Sequence, residues 1–108
     1  MHVVLVGTSH RHAPVELRER VAFGSGRAGE IAAMLADADS EAVALSTCNR
    51  TELYLACEDP AGALERGAGA LATLAGLPAG ELEDSLYTLL DEAAVLPLFR
   101  VAAGLDSM

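Results

Sequence analysis

Apolar residues along this chain follow two different spacings, and these spacings predict its secondary structure. A continuous, mostly β-branched run at residues 3–6 is typical of a strand buried on both faces or nearly so. Residues 41–45 and 53–57 have the aliphatic and aromatic content of two further strands, which we expect to pair as a hairpin across the polar stretch between them. Residues 86–89 are predicted to form a fourth strand.

Apolar positions at helical spacing predict helices between these strands. Pro14 is expected at the first position of a short helix, a second helix is predicted over about 27–36, and a third between the Asp59-Pro60 start signal and Gly76. Residues 77–80 are predicted to form a turn, and Asp91 to cap a final helical stretch. The predicted inner faces are Val15, Leu17, Val21 and Ala22 in the first helix, Ile31, Met34, Leu35 and Ala38 in the second, and Leu64, Ala68, Leu71 and Ala75 in the third.

The order of these elements predicts the fold class. Strand, two short helices, two strands, helix, strand and helix is typical of an α+β protein with a ferredoxin-like split βαβ arrangement. We therefore expect a four-stranded, mainly antiparallel sheet with helices packed on one face. A chain of 108 residues with 52% apolar and 21% charged content forms one domain with a modest core.

Charge and hydropathy restrict the partners and the location. The net charge is −9, and all seven basic residues are arginine, four of them within residues 1–27. An acidic protein is a poor general binder of nucleic acid, so we expect no DNA partner. Any RNA contact is expected either to be local, through an arginine cluster, or to be supplied by parts not present in this chain. No apolar run reaches the roughly 20 residues of a membrane span, and the amino terminus lacks the features of a signal peptide. The sequence thus predicts a cytoplasmic protein that does not associate with membranes.

The stretch between the hairpin strands carries the candidate chemistry. Residues 46–52 read STCNRTE, which places a thiol, a hydroxyl, an amide, a guanidinium and a carboxylate where a turn normally carries Gly or Asn-Gly. Cys48 is either a small core residue or a nucleophile whose thiolate is stabilised by Arg50 and the loop amides. Glu52 either orients Arg50 or is a solvated charge of the hairpin.

The two cysteines are too far apart to form a disulfide in this arrangement. If the chain turns near residues 49 and 50, Cys57 lies roughly 20 Å from Cys48 along the partner strand. A disulfide needs Cα atoms within about 7 Å, so we predict two free thiols, with Cys57 in the core. His10 and His12 could share one face of an extended segment, but a lone pair of histidines is a weak metal signal, and we predict no metal site.

Three segments, in this order, resemble the motifs of one known family: GTSHRHAPV at 7–15, STCNRTELY at 46–54 and LFRVAAGLDSM at 98–108. The chain resembles the amino-terminal catalytic domain of the glutamyl-tRNA reductases. The resemblance implies that Cys48 displaces tRNA from glutamyl-tRNA to form a glutamyl thioester. The resemblance further implies that the thioester is then reduced with NADPH to glutamate-1-semialdehyde for tetrapyrrole biosynthesis. It also implies that Thr47, Asn49, Arg50 and Ser107 bind the substrate.

The same resemblance implies parts that residues 1–108 do not supply. We expect NADPH to be bound by a domain absent from this chain, because we predict no Gly-x-Gly-x-x-Gly fingerprint here to hold a dinucleotide. A dimerisation domain is likewise expected to be absent, and the full-length protein is expected to be a homodimer.

One position departs from the family pattern. Pro97 stands where the family usually has a histidine thought to assist catalysis, and proline has no titratable group. An alternative is therefore a non-catalytic or degenerate module that keeps the fold and substrate binding.

Overall fold

A four-stranded antiparallel sheet forms the centre of the computed structural model, which describes residues 1–11, 13–37, 40–47 and 49–95. Its strands are β1 (His2–Ser9), β2 (Glu41–Ser46), β3 (Arg50–Cys57) and β4 (Tyr87–Leu90). The strand order is β2-β3-β1-β4, and every neighbouring pair is antiparallel. Each of the two crossovers therefore skips one strand, which is the split βαβ arrangement and confirms the predicted α+β, ferredoxin-like fold.

The helices are α1 (Val15–Val21), α2 (Ser25–Leu35), α3 (Pro60–Ala75) and α4 (Ala79–Leu82), followed by a 3₁₀ turn at Glu83–Ser85. Alternate residues of β1 and β3 face this helical layer, and Val4, Val6, Leu53 and Leu55 form the centre of the main core. None of the helices in the described ranges is both long and apolar enough to cross a membrane.

The opposite face of the sheet carries a smaller apolar cluster. Leu5 and Tyr54, which pair across β1 and β3, pack there with Ala94 from the helical turn after β4. The prediction of helices on one face therefore holds for α1 to α4, while residue 94 covers part of the second face. The remainder of the predicted final helix, including Pro97 and Ser107, lies outside the described residues.

Helix α3 begins and ends where the sequence predicts. The Asp59 side chain accepts a hydrogen bond from the Gly62 amide, Pro60 is the first helical residue, and Gly76 ends the helix in the left-handed conformation at φ 70°. The buried stripe is shifted relative to the prediction, because Ala63, Gly67, Leu71, Ala72 and Ala75 are the buried residues. Leu64 and Ala68 lie at its border.

Other local predictions need correction. Met34, predicted on the inner face of α2, is 80% exposed, whereas Ile31 and Leu35 are buried as expected. Val15, predicted on the inner face of α1, is exposed, and Val21 is the residue of α1 that is fully buried. The predicted turn at 77–80 is shorter, since α4 begins directly after Pro78.

Asp91 closes the sheet at the far end of β4. Its backbone takes a positive φ of 51°, its carboxylate accepts a hydrogen bond from the Val3 amide at 3.2 Å, and His2 Nδ1 lies 3.3 Å away. These two contacts, the backbone one first, lower the pKa of Asp91. Its carbonyl accepts from the amides of Ala94 and Val95, so the helical stretch does begin at this residue.

Candidate active site

The polar connection between β2 and β3 is tighter than the sequence predicts. Ser46 still belongs to β2 and Arg50 already belongs to β3, so the strands extend into the polar stretch. The Thr47 amide donates to the Arg50 carbonyl at 2.8 Å, and the Asn49 amide donates to Thr47 Oγ1 at 3.3 Å. Cys48 lies outside the described residues, but both of its chain neighbours belong to this closed turn.

The amino-terminal motif meets this hairpin at the same edge of the sheet. Ser9, the last residue of β1, pairs with Arg50, and the His10 amide donates to the Asn49 carbonyl at 2.9 Å. The chain then turns away, with the Ala13 amide bonded to the Ser9 carbonyl at 3.0 Å. Two motifs far apart in sequence therefore form one rim, which carries Thr47, Asn49, Arg50 and the exposed His10.

Hydroxyl groups support the rim from the helical side. Ser46 Oγ and Thr51 Oγ1 share a hydrogen bond of 2.9 Å, and the Phe23 amide donates to Ser46 Oγ at 3.2 Å. Phe23, in the connection between α1 and α2, is itself buried in the main core. The loop end of the hairpin is thus bonded to the connection between α1 and α2, which gives the loop a rigid support.

Glu52 does not occupy the exposed position that one sequence interpretation gave it. Its side chain is 1% exposed on the face opposite the main helices, so the solvated-charge alternative is wrong. The Tyr54 hydroxyl donates to Glu52 Oε1 at 3.0 Å, and the Tyr87 hydroxyl donates to Glu52 Oε2. Whether Glu52 orients Arg50 stays a prediction. The sequence analysis missed both tyrosines, although the strand alternation at residues 50, 52 and 54 could have signalled that Glu52 shares a face with Tyr54.

Burial changes the acidity of Tyr87, beside this site, and of Cys57, at the far end of β3. Desolvation first, then the hydrogen bond to Glu52 and its negative charge, raises the pKa of Tyr87, while the Arg50 charge opposes this effect. Burial also raises the pKa of the Cys57 thiol. Cys57 is 3% exposed, is a free thiol and packs in the main core, which confirms its predicted place.

A Gly-x-Gly-x-x-Gly spacing does occur in the chain, at Gly24, Gly26 and Gly29, so its predicted absence needs a qualification. In a dinucleotide-binding unit this turn follows a strand of a parallel sheet. Here the segment follows α1, and Gly24 directly precedes the first residue of α2. The glycine spacing matches the fingerprint, but a helix and not a parallel strand precedes it. This segment therefore does not form a dinucleotide site.

Other predicted site residues fall outside what the structure describes. Ser107 and His12 belong to this group together with Cys48, so their predicted roles stay predictions. Within the described ranges, no group of three or more His, Cys, Asp or Glu side chains could hold a metal ion.

Comparison with known proteins identifies the family. The family described as "Glutamyl-tRNAGlu reductase, N-terminal domain" matches residues 6–108. Among curated relatives, the glutamyl-tRNA reductases of Marinobacter nauticus and Geobacter sulfurreducens are 50% and 46% identical over 113 and 110 residues. Each alignment covers 100% of this chain and 25% of the relative, so the chain spans about a quarter of their length.

A solved structure gives the same result. The glutamyl-tRNA reductase from Methanopyrus kandleri is 34% identical, with a TM-score of 0.59, over 98% of this chain and 23% of that chain. The family match covers all three sequence motifs, and the structural match covers the fold that joins the first two into one rim. The chain belongs to the family of glutamyl-tRNA reductase amino-terminal domains.

Proposed function

We propose that this chain is the catalytic, glutamyl-tRNA-binding domain of a glutamyl-tRNA reductase, in which Cys48 takes up the glutamyl group as a thioester. The observation that carries the proposal is the hydrogen bond from the His10 amide to the Asn49 carbonyl. This bond joins the amino-terminal motif to the hairpin that contains Cys48 in sequence. The relatives that align with the whole of this chain are named glutamyl-tRNA reductase.

The proposed first step is transfer of the acyl group to the thiol. The Cys48 thiolate attacks the ester carbonyl of glutamyl-tRNA, a carbon–sulfur bond forms, and the bond from that carbon to the terminal ribose oxygen breaks. The ribose oxygen then takes a proton, and tRNA leaves with its hydroxyl restored. The neighbouring Arg50 and the amides of the hairpin favour the thiolate, which is the nucleophilic form of cysteine.

Arg50 is the proposed selectivity residue. It begins β3, is half-buried, and lies two residues from Cys48 with its backbone bonded to Thr47. A planar guanidinium on a strand, rather than on a free loop, suits a two-point grip on the side-chain carboxylate of the glutamyl group. We assign Thr47, Asn49 and Ser107 to the remaining polar contacts with the substrate.

Reduction of the thioester is proposed to need more than residues 1–108. NADPH, bound by another domain, would supply the hydride that releases glutamate-1-semialdehyde and frees the thiol. The segment with Gly24, Gly26 and Gly29 does not fit a dinucleotide, because it lacks the preceding parallel strand. The homodimer, the cytoplasmic location and the tetrapyrrole pathway belong to the same proposal.

The test replaces Arg50 with lysine in the full natural protein. We expect Arg50→Lys to lose most of the preference for glutamyl-tRNA over glutaminyl-tRNA, because an ammonium cannot reproduce the planar fork. The loss should be on the order of 1.5 to 3 kcal/mol, typical of a hydrogen bond to a charged group. Thioester formation is measured by acid trapping of enzyme labelled with the radioactive amino acid.

Arg27→Lys is the matched control. Arg27 lies in the groove between α2 and α3 with Ile31 and Leu74, so its replacement should leave the preference unchanged. Equal thioester formation from both esters in the unmutated protein would show that Arg50 does not select glutamate.

A further inference from the structure

A bridge of three side chains, in which Glu52 and Tyr54 are buried and Tyr87 is half-buried, crosses the sheet next to the proposed site. Glu52 on β3 accepts one hydrogen bond on each carboxylate oxygen, from Tyr54 in its own strand and from Tyr87 in β4. Strand β1 lies between β3 and β4, so the contact between Glu52 and Tyr87 spans the width of a whole strand. Both oxygens are thus held by donors from fixed positions in the sheet.

Gly7 makes room for this bridge. It is the β1 residue that pairs with Glu52 on one side and with Tyr87 on the other. A Cβ added at Gly7 would lie 2.9 Å from Glu52 Cγ and 3.1 Å from the Tyr87 hydroxyl, as well as 2.9 Å from the Thr51 carbonyl oxygen. Any side chain at this position would push the carboxylate and the phenol apart.

Glu52, the centre of the bridge, follows Arg50 by two residues in β3. Residues two apart in a strand share a face, so Arg50 and Glu52 lie on the same side of β3, and their partners Ser9 and Gly7 do so in β1. Arg50 is close enough to Tyr87 for its charge to lower the pKa of that phenol against the larger effect of burial. The arginine and the bridge therefore share one electrostatic environment.

A buried carboxylate requires both hydrogen bonds and a compensating charge. The two tyrosines supply hydrogen bonds but no charge. Arg50 lies two residues away on the same face, and its positive charge reaches the Tyr87 phenol of the same bridge. Because two hydrogen bonds fix the position of the Glu52 carboxylate, its negative charge favours the Arg50 rotamers that bring the guanidinium toward it.

We propose that Glu52 and Tyr87 are positioning residues that set the orientation of the Arg50 guanidinium at the rim. The inference rests on the proposed role of Arg50 in gripping the glutamyl carboxylate and adds the residues that hold it ready. A bridge that only strengthened the sheet would affect stability and leave the guanidinium and substrate preference unchanged.

The first measurement observes Arg50 directly and does not depend on catalysis. The chain has seven arginines and no lysine, so its arginine Nε–H signals form a sparse ¹⁵N–¹H spectrum, and Arg50→Lys identifies the Arg50 signal by its loss. Tyr87→Phe removes only the hydroxyl, and Glu52→Gln keeps the side-chain volume. We expect each variant to shift the Arg50 signal and to speed exchange of its proton with water.

Ser40→Ala is the matched control for this measurement. The Ser40 hydroxyl accepts a hydrogen bond from Arg66 at 3.2 Å, remote from the rim. Its removal should move the Arg66 signal and leave that of Arg50 in place. An unchanged Arg50 signal in folded Tyr87→Phe and Glu52→Gln would overturn the positioning role, whatever the activity of the protein.

The second measurement links position to selectivity in the full natural protein. In Tyr87→Phe we expect the preference for glutamyl-tRNA over glutaminyl-tRNA to fall about tenfold, with most of the change in KM, because Tyr87 would act on substrate binding through Arg50. A shifted Arg50 signal with an unchanged preference would overturn the link to selectivity. If the unmutated protein shows no preference while the variants still shift the Arg50 signal, the positioning of Arg50 stands and the proposed function fails.

Discussion

At the scale of single residues, the two cysteines differ through their surroundings rather than their chemistry. Cys57 faces the helical layer from the end of β3, where burial raises its thiol pKa. Cys48 follows Thr47 in the connection between β2 and β3, which is closed by backbone bonds and carries an arginine two positions later. The same functional group is therefore a core side chain at Cys57 and a candidate nucleophile at Cys48.

Brief exposure to iodoacetamide at neutral pH should distinguish the two thiols. We expect Cys48 to be alkylated first and Cys57 at least about tenfold more slowly, since a core side chain reacts only after local opening. Peptide mass spectrometry measures both rates, and a denatured sample, in which both react, is the control. Faster labelling of Cys57 would contradict the assignment.

At the scale of elements, helix α3 shows how a glycine can serve packing rather than backbone conformation. Gly67 faces β1 at the centre of the buried stripe, and a Cβ there would lie 3.0 Å from Val6 Cγ2 and 3.3 Å from Val6 Cβ. Gly69, two positions later in the same helix, has no neighbour within 4 Å of such an atom among the residues described. Of these two glycines, Gly67 is the one that the close approach of helix and sheet requires.

Alanine at these two positions should therefore have opposite effects. We expect Gly69→Ala to stabilise the fold by about 0.5 to 1 kcal/mol, because alanine is the better helix former. Gly67→Ala should destabilise it by about 1 to 3 kcal/mol, because Val6 is fully buried and cannot move aside. Urea unfolding of both variants measures the free energies, and a stabilised Gly67→Ala would show that the interface is looser than described.

At the scale of the whole molecule, the strand order decides which residues meet. Because β1 lies between β3 and β4, the tyrosine of the last strand reaches the glutamate of the hairpin strand over Gly7. Unfolding releases Tyr87 from this bridge, so global stability is linked to the ionisation of its phenol.

This linkage predicts a loss of stability at alkaline pH. The folded-state pKa of Tyr87 is raised above the ordinary value of about 10, so above that pH the unfolded chain binds fewer protons than the folded one. The contribution is fully present below pH of about 10 and declines above it, by up to about 1.4 kcal/mol per pH unit for one group. Urea unfolding between pH 8 and 11 measures the slope.

Tyr87→Phe provides the comparison for that slope. The variant should be less stable at pH 8, because it lacks the hydrogen bond to Glu52, and should lose less stability between pH 10 and 11. Parallel curves for the two proteins would contradict the linkage.

The sequence by itself determined the elements and much of the rim. The run at 3–6, the alternation around residue 54 and the Asp59, Pro60 and Gly76 signals are local features, and local features report strands and helix ends directly. The hairpin motif likewise placed Thr47, Asn49 and Arg50 together, because they are neighbours in the chain.

Only the tertiary structure decided how distant segments meet. The exposure of Met34, the docking of His10 on Asn49 and the burial of Glu52 between two tyrosines depend on contacts between elements far apart in sequence. Periodicity shows which face of a strand a residue occupies, but not which side chains arrive from other strands. Glu52 could therefore be read as a surface charge until the register of β1, β3 and β4 placed Tyr87 and Gly7 beside it.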